Sequence, residues 1–181
     1  MSNDYHFTTR WRVRGTTREV AAILRDADQL PRWWPSVYLA VRVIRAGDEH
    51  GVGGVVDLWT KGWLPYTLRW RFTTTRNDGA TGLALRAEGD FVGAGVWSLT
   101  QDSAYVEATY DWRIAAEKPL LKRLTWLLRP VFSANHRWAM RMGEQSIELE
   151  LARRRLPPER RSEIAAAPGP TFSRLVRPPR G

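Results

Sequence analysis

The polar residue with the clearest capacity for chemistry or ligand binding is Asn135, because it interrupts an apolar stripe. The stripe recurs at three- and four-residue steps through Leu124, Leu128, Val131, Asn135, Trp138, Met142, Ser146 and Leu149. A buried amide without a hydrogen-bond partner is costly. We therefore expect Asn135 either to bond a ligand or water in a cavity, or to satisfy a local backbone group near Pro130.

The remaining residue types offer little for metal or nucleophilic chemistry. His136 lies one position off the stripe, and His6 and His50 lie in unrelated places, so no spacing predicts a metal site. The absence of cysteine excludes disulfides, thiolate zinc sites and cysteine nucleophiles. The sequence contains no Ser-His-Asp arrangement, P-loop or dinucleotide fingerprint, since no helix follows the glycines of 51–54. We expect no metal and no cofactor.

Acid–base candidates on the last predicted strand depend on which of its faces is buried. One face carries Tyr105, Glu107, Thr109, Asp111 and Arg113. The other face carries Val106, Ala108, Tyr110, Trp112 and Ile114. The simpler interpretation buries the apolar face and leaves charge pairs in solvent. A local reversal would instead turn Asp111 and Arg113 into acid–base candidates inside a cavity.

Aromatic side chains are abundant, with ten Trp, five Tyr and five Phe among 181 residues. They could either line an apolar pocket or fill a core, and the pattern is the same for both. The indoles of Trp33 and Trp34 could close over an apolar ligand, or could fasten short helices to the sheet. The candidate ligand-binding residues are Trp33, Trp34, Tyr66, Trp70, Trp97, Tyr110, Trp112, Asn135 and Trp138.

Period-2 alternation and turn signals predict the elements that would position these residues. A strand over Tyr5–Val13 precedes a helix from Thr16 or Thr17 to Leu24, for which Thr16 and Glu19 fit a capping box. A second short helix over 26–30 should end at Pro31 and Pro35. Six further strands follow, over 37–46, 52–61, 66–75, 83–89, 91–101 and 105–115.

The period changes to helical after Pro119 and predicts one helix about seven turns long, kinked or restarted near Leu128–Arg129 by Pro130. One helix cannot cover so many strands by flat packing. The sheet must curl around it, and the space between them becomes a core or a cavity. The predicted fold is α+β: a curved antiparallel sheet of about seven strands around a long C-terminal helix, with two short helices after strand one.

Charge separates the chain into two regions. Residues 153–181 hold eight Arg and two acids, which accounts for +6 of the net charge of +9. Residues 1–152 are therefore nearly balanced, and nothing in them favours specific nucleic-acid binding. We expect a basic, disordered tail from 153, able at most to touch a membrane surface weakly. With no apolar leader and no uncharged stretch longer than 91–101, the expected location is the cytoplasm, without a transmembrane segment.

Several segments together resemble the START-like SRPBCC superfamily, whose fold is called helix-grip. They are Arg32-Trp33-Trp34-Pro35-Ser36-Val37, Gly62-Trp63-Leu64-Pro65-Tyr66, Gly95-Val96-Trp97-Ser98-Leu99 and Asn135-His136-Arg137-Trp138-Ala139-Met140. The resemblance covers roughly residues 5–152. It implies a ligand cavity like those of the polyketide cyclase and lipid-transport members of that superfamily, but fold alone does not settle function.

Three functions remain open. The leading hypothesis is binding of a small apolar ligand, aromatic, polyketide-like or lipid-like, between the sheet and the helix. The alternative is a cyclase, aromatase or dehydratase acting on a polyketide-like substrate held in the same cavity. The third is a non-catalytic protein that binds a partner. The sequence does not indicate an oligomeric state.

Overall fold

A computed structural model describes residues 4–116 and 119–172 of the chain, with the side chains of 116–129 excepted. The strands are β1 (Asp4–Arg14), β2 (Tyr38–Arg45), β3 (Val55–Lys61), β4 (Thr67–Asn77), β5 (Gly82–Gly89), β6 (Phe91–Asp102) and β7 (Tyr105–Ala116). The helices are α1 (Thr17–Arg25), α2 (Leu30–Trp33) and α3 (Pro119–Arg155). This is the predicted α+β architecture, with the predicted element order.

All seven strands form one antiparallel sheet in the order β1-β7-β6-β5-β4-β3-β2. Consecutive strands from β2 to β7 pair as hairpins, and β1 closes the far edge by pairing with β7. The β4–β5 turn uses Gly79 at φ 66°, which a residue without Cβ adopts at little cost. Alternate residues along each strand face α3, so this face of the sheet forms the core.

The helical segment after β1 begins as predicted and ends differently. Glu19 N donates to Thr16 Oγ1 at 3.3 Å, and Thr16 N donates to a Glu19 carboxylate oxygen at 2.8 Å, which completes the capping box. The prediction that Pro31 ends the second short helix is wrong. Pro31 lies in the first turn of α2, where its missing N–H and fixed φ are favourable.

Helix α3 continues through Pro130 to Arg155, so the chain does not restart there. The face of α3 toward the sheet is offset from the predicted stripe. Its buried residues include Met140, Gly143, Ile147 and Leu151, whereas Trp138 and Met142 are only half-buried. Both sets include large apolar side chains, but the buried face also includes Gly143, which lies against Trp34 and Trp11. Leu124 and Leu128 lie outside the described side chains.

The C-terminal half of α3 is joined to α2 by a buried charge cluster around Glu150, whose side chain is fully buried. Arg32 on α2 donates to Glu150, as do Arg153 and Arg154 one turn later. Burial alone would raise the pKa of Glu150, but hydrogen bonds from Arg154, Arg32 and Arg153 lower it. Glu150 therefore stays ionised and holds α2 against the helix.

The chain beyond Arg155 forms a 3-10 helix over Pro158–Glu163. Arg153 donates to the carbonyl oxygen of Ala165 at 3.0 Å. Thr171 returns to the end of β3, where it contacts Lys61. A separate disordered tail from residue 153 stays a prediction, and its last nine residues, 173–181, lie outside the described structure.

Candidate functional site

A cavity of about 440 Å³ lies between the concave face of the sheet and α3. Its wall is built from alternate residues of the strands, from α2, and from the face of α3 that carries Phe132, Asn135 and Ala139. The wall also reaches the exposed side chains of Arg25 and His50. The cavity therefore opens to solvent between the α1–α2 connection and the β2–β3 hairpin.

One side of the cavity is a continuous series of aromatic rings on β4, β6 and β7. Trp97 stacks on Tyr110 with ring centroids 4.4 Å apart, and Tyr110 stacks on Trp112 at 5.6 Å. Trp112 then meets Trp70 at 5.7 Å. Each ring is held by its neighbour, so the series forms a rigid apolar surface that faces the cavity.

Eight of the nine candidate ligand-binding residues line this cavity: Trp33, Trp34, Tyr66, Trp70, Trp97, Tyr110, Trp112 and Asn135. Trp138 is the exception and requires a correction, because it is not among the residues that form the wall. The side chains of α3 that face the cavity include Phe132, His136 and Ala139 instead. Whether the eight residues bind a ligand stays a prediction.

Trp33 and Trp34 line the cavity and also pack α2 and the residue after it against the sheet. The two indoles pack 5.3 Å apart, and Trp34 contacts Trp11 at 5.5 Å and Tyr38 at 5.2 Å. Both indole N–H groups are buried without a hydrogen bond to the described residues. In contrast, the indole N–H of Trp70 donates to Thr60 Oγ1 at 3.0 Å.

Asn135 satisfies backbone groups that are distant in sequence rather than local. Its Oδ1 accepts hydrogen bonds from the backbone N–H groups of Trp63 at 2.9 Å and Leu64 at 3.4 Å. A Cβ on Gly62 would overlap the Asn135 side chain, so the loop needs glycine here for close approach. The expectation of a local partner near Pro130 is therefore wrong. The amide fixes the β3–β4 loop over α3.

His136 sits beside Asn135 on the cavity wall. Its ring stacks on Phe7 with centroids 4.2 Å apart, and its Nε2 lies 3.2 Å from Thr9 Oγ1. Burial, with a smaller contribution from the charge of Arg137, lowers the pKa of His136 to about 4. His136 is therefore neutral at physiological pH, and its hydrogen-bonding nitrogen is turned toward β1.

Three tyrosines bring hydroxyl groups to the wall. Burial raises the pKa of Tyr38 and, with a further contribution from Tyr38, the pKa of Tyr110. Burial and the neighbouring Tyr5 raise the pKa of Tyr66 to about 12. None of Tyr38, Tyr66 and Tyr110 makes a side-chain hydrogen bond to the described residues, so each remains a protonated phenol able to donate to a ligand.

The charged residues of β7 lie on the opposite face. Asp111 accepts hydrogen bonds on the convex surface from His6 and Arg113, each at 2.8 Å, and these contacts lower its pKa, the His6 bond most strongly. The simpler interpretation of β7 holds, and Asp111 and Arg113 are not cavity groups. Among the described residues, no three His, Asp or Glu side chains are grouped to hold a metal ion.

Tyr38 and Lys61 are two polar residues of the wall that were not among the candidates. Tyr38 stands at the start of β2, where the burial pattern of this edge strand is too irregular to orient it. Strict alternation along β3 would place Lys61 on the same face as Asp57 and Trp59, which lie on the convex side. The end of β3 departs from this alternation, since Thr60 and Lys61 are both buried and both line the cavity.

Comparison with known proteins identifies the fold without supplying a close relative. No protein-family model matches the chain, and no curated protein is similar to it in sequence. Three similar structures are the protein TTHA0849 from Thermus thermophilus, the Zhui aromatase/cyclase from a Streptomyces species, and a STAR-related lipid transfer protein from Xanthomonas axonopodis.

The similarity to each spans most of both chains. TTHA0849 is 14% identical with a TM-score of 0.64, over 79% of this chain and 97% of that one. The aromatase/cyclase is 17% identical with a TM-score of 0.62, over 86% and 98%. The lipid transfer protein is 19% identical with a TM-score of 0.53, over 83% and 88%. At such identities the likeness establishes the fold alone.

No helix within the described parts of the chain is long and apolar enough to cross a membrane. The curved seven-stranded sheet, the short helices after β1, the long helix α3 and these structural neighbours confirm the predicted architecture. The chain therefore has the same fold as these structures, a curved antiparallel sheet wrapped around a long C-terminal helix.

Proposed function

We propose that this protein binds one small apolar molecule, aromatic, polyketide-like or lipid-like, in the cavity between the sheet and α3. The observation that carries the proposal is the cavity of about 440 Å³ with a wall of aromatic rings. A volume of this order is typical of small-molecule sites, which lie at roughly 300–1,000 Å³.

The polar groups of the wall support binding in a preferred orientation. The hydroxyls of Tyr38, Tyr66 and Tyr110 are separate donors set among apolar surfaces. Such a wall suits a ligand that is mostly apolar and carries a few oxygen atoms. The structural neighbours are consistent with this class, because one is named an aromatase/cyclase and another a lipid transfer protein.

A cyclase or aromatase activity is the second candidate, and the presence of both Tyr38 and Tyr110 on the cavity wall favours it. Burial, with a smaller contribution from Tyr38, raises the pKa of Tyr110, so this phenol stays protonated. Two such donors could hold a carbonyl-rich chain in a folded conformation and polarise its oxygens. Turnover also requires a general base that removes a proton, and the neutral imidazole of His136 is the candidate on the wall.

Native mass spectrometry of protein purified from its own host tests the binding proposal. We expect a co-purifying small molecule that is lost from A139W, because Ala139 lies on the wall and an indole there would fill the cavity. The matched control is A94W, since Ala94 is exposed on the convex face of β6. Retention of the same molecule by A139W, or no bound molecule under any condition, would argue against the proposal.

A further inference from the structure

Lys61, the last residue of β3, is a charged side chain in an unusual position. It is only 2% exposed, and it lines the cavity together with its neighbours Thr60 and Gly62. Lysine is almost never fully buried unless it is paired, since removing an ammonium group from water is expensive. The partners of this ammonium group therefore indicate what it is for.

All the partners that the structure provides are neutral. Lys61 Nζ donates to the backbone carbonyl oxygen of Thr171 and to Thr171 Oγ1, the latter at 3.0 Å. It also lies 5.5 Å from the ring centroid of Phe172. No carboxylate of the described residues forms an ion pair with it. These contacts give acceptors to two of its three N–H donors, but its charge has no counter-ion among the described residues. Burial lowers the pKa of Lys61.

The segment that meets Lys61 also contacts the β3–β4 loop. Thr171 Oγ1 lies 3.1 Å from the carbonyl oxygen of Trp63 and 3.4 Å from that of Gly62. Phe172 is 54% exposed. A ligand group that binds the ammonium group more strongly than one carbonyl and one hydroxyl would compete with Thr171 for it.

Lys61 lies where one end of an elongated ligand would reach. The cavity reaches solvent at the β2–β3 hairpin, and Lys61 ends β3 at the opposite end of that strand. Seven residues of strand span roughly 20 Å. An elongated ligand lying along β3 would therefore place one terminus beside the aromatic walls and the other beside the ammonium group.

Resting on the cavity function proposed above, we infer that the natural ligand is a carboxylic acid whose carboxylate pairs with Lys61 and takes the place of Thr171. A carboxylate accepts the same hydrogen bonds as the two oxygens of Thr171 and also neutralises the buried charge. Charge-assisted hydrogen bonds of this kind are roughly twice as strong as those between neutral groups.

The test compares acids with neutral molecules of matched shape by isothermal titration calorimetry at neutral pH. The pairs are naphthoate with naphthamide, and dodecanoate with dodecanol. We expect wild-type protein to bind each acid at least about tenfold more tightly than its neutral partner, as one buried charged hydrogen-bonding pair allows. This comparison requires no variant and so does not depend on how a substitution folds.

Variants then locate the effect at Lys61. K61M keeps the length of the side chain without its charge and should weaken acid binding by about tenfold, with neutral binding unchanged. K61R keeps the charge and should retain the preference for acids. R86M is the matched control, because Arg86 is an exposed cation on the convex face and its loss should alter neither affinity. A thermal unfolding profile for each variant verifies its fold.

The outcomes separate this inference from the function on which it rests. Equal affinity for acids and neutral molecules, or an acid preference that persists in folded K61M, would overturn the role of Lys61 and leave the cavity function standing. Binding of no member of either pair would contradict the cavity function itself for aromatic and aliphatic ligands, and the inference with it.

Discussion

The side chain of Asn135 on α3 accepts a hydrogen bond at 2.9 Å from the backbone N–H of Trp63, which precedes it by 72 residues. With the weaker bond from Leu64 N, this contact fixes the β3–β4 loop over the helix at one edge of the cavity. The amide that interrupts the apolar face is thus a connector between the helix and the sheet. The loop that it fixes also carries the carbonyl oxygens that meet Thr171.

We expect N135A to lower the free energy of unfolding by about 1 kcal/mol, the usual net loss for one such hydrogen bond. Hydrogen exchange of the Trp63 backbone amide should become faster, because this N–H loses Asn135 Oδ1 as its acceptor. Urea denaturation and hydrogen-exchange NMR measure the two effects. R137A, an exposed change on the same helix, is the control. If N135A matched R137A in both measurements, the connecting role of Asn135 would be refuted.

At Gly143, α3 lies in close contact with the indole rings of Trp34 and Trp11. A Cβ here would overlap Trp34 and lie 2.7 Å from Trp11 Cζ2. Overpacking of a core costs about 1–3 kcal/mol, and alanine returns about 1 kcal/mol of helix propensity. Because both indoles are rigid and buried, we expect the clash to exceed the gain and G143A to be destabilised.

Chemical denaturation of G143A against G169A tests this expectation. A Cβ at Gly169 would meet no atom within 4 Å, so G169A should remain within about 0.5 kcal/mol of wild type. An increase in stability for G143A would mean that α3 can move away from the sheet without loss.

His136 should make the fold sensitive to acid. Its pKa is lowered from 6.5 to about 4 in the folded protein, so below pH 6.5 the unfolded state takes up a proton that the folded state does not. Stability should therefore fall by about 1.4 kcal/mol per pH unit between 6.5 and 4, and by about 3 kcal/mol in total.

The variant H136Q removes this titration. Its stability difference from wild type should be constant above pH 6.5 and should shift in favour of the variant as the pH falls toward 4. Urea denaturation at several pH values measures the difference. A constant difference over the whole range would show that the imidazole is not held neutral by burial.

The fold was largely predictable from the sequence because its signals are local. Alternation in β7 assigned its inner face correctly, as the position of Trp112 shows. The prediction that Pro31 ends a helix was wrong because proline is common both after the end of a helix and in its first turn. Only the surrounding structure selects between these two positions.

The candidate site was less predictable because it depends on small residues and on contacts between distant segments. Gly143 lets α3 approach Trp34 and Trp11, and Ala139 lines the cavity, but neither belongs to the predicted apolar stripe. Lys61 was not among the candidate residues, since nothing local signals that alternation fails at the end of β3, where Thr60 and Lys61 are both buried. Its contact with Thr171 joins residues 110 positions apart.

The most direct test of the central claim is a fluorescence titration with the apolar probe N-phenyl-naphthylamine. We predict saturable binding of one probe molecule to wild-type protein and to A94W, with loss of the signal in A139W, whose added indole fills the cavity without changing the exposed surface. Equal binding by A139W and A94W, with both variants folded, would contradict the account, since the probe would then occupy some site other than the space between the sheet and α3.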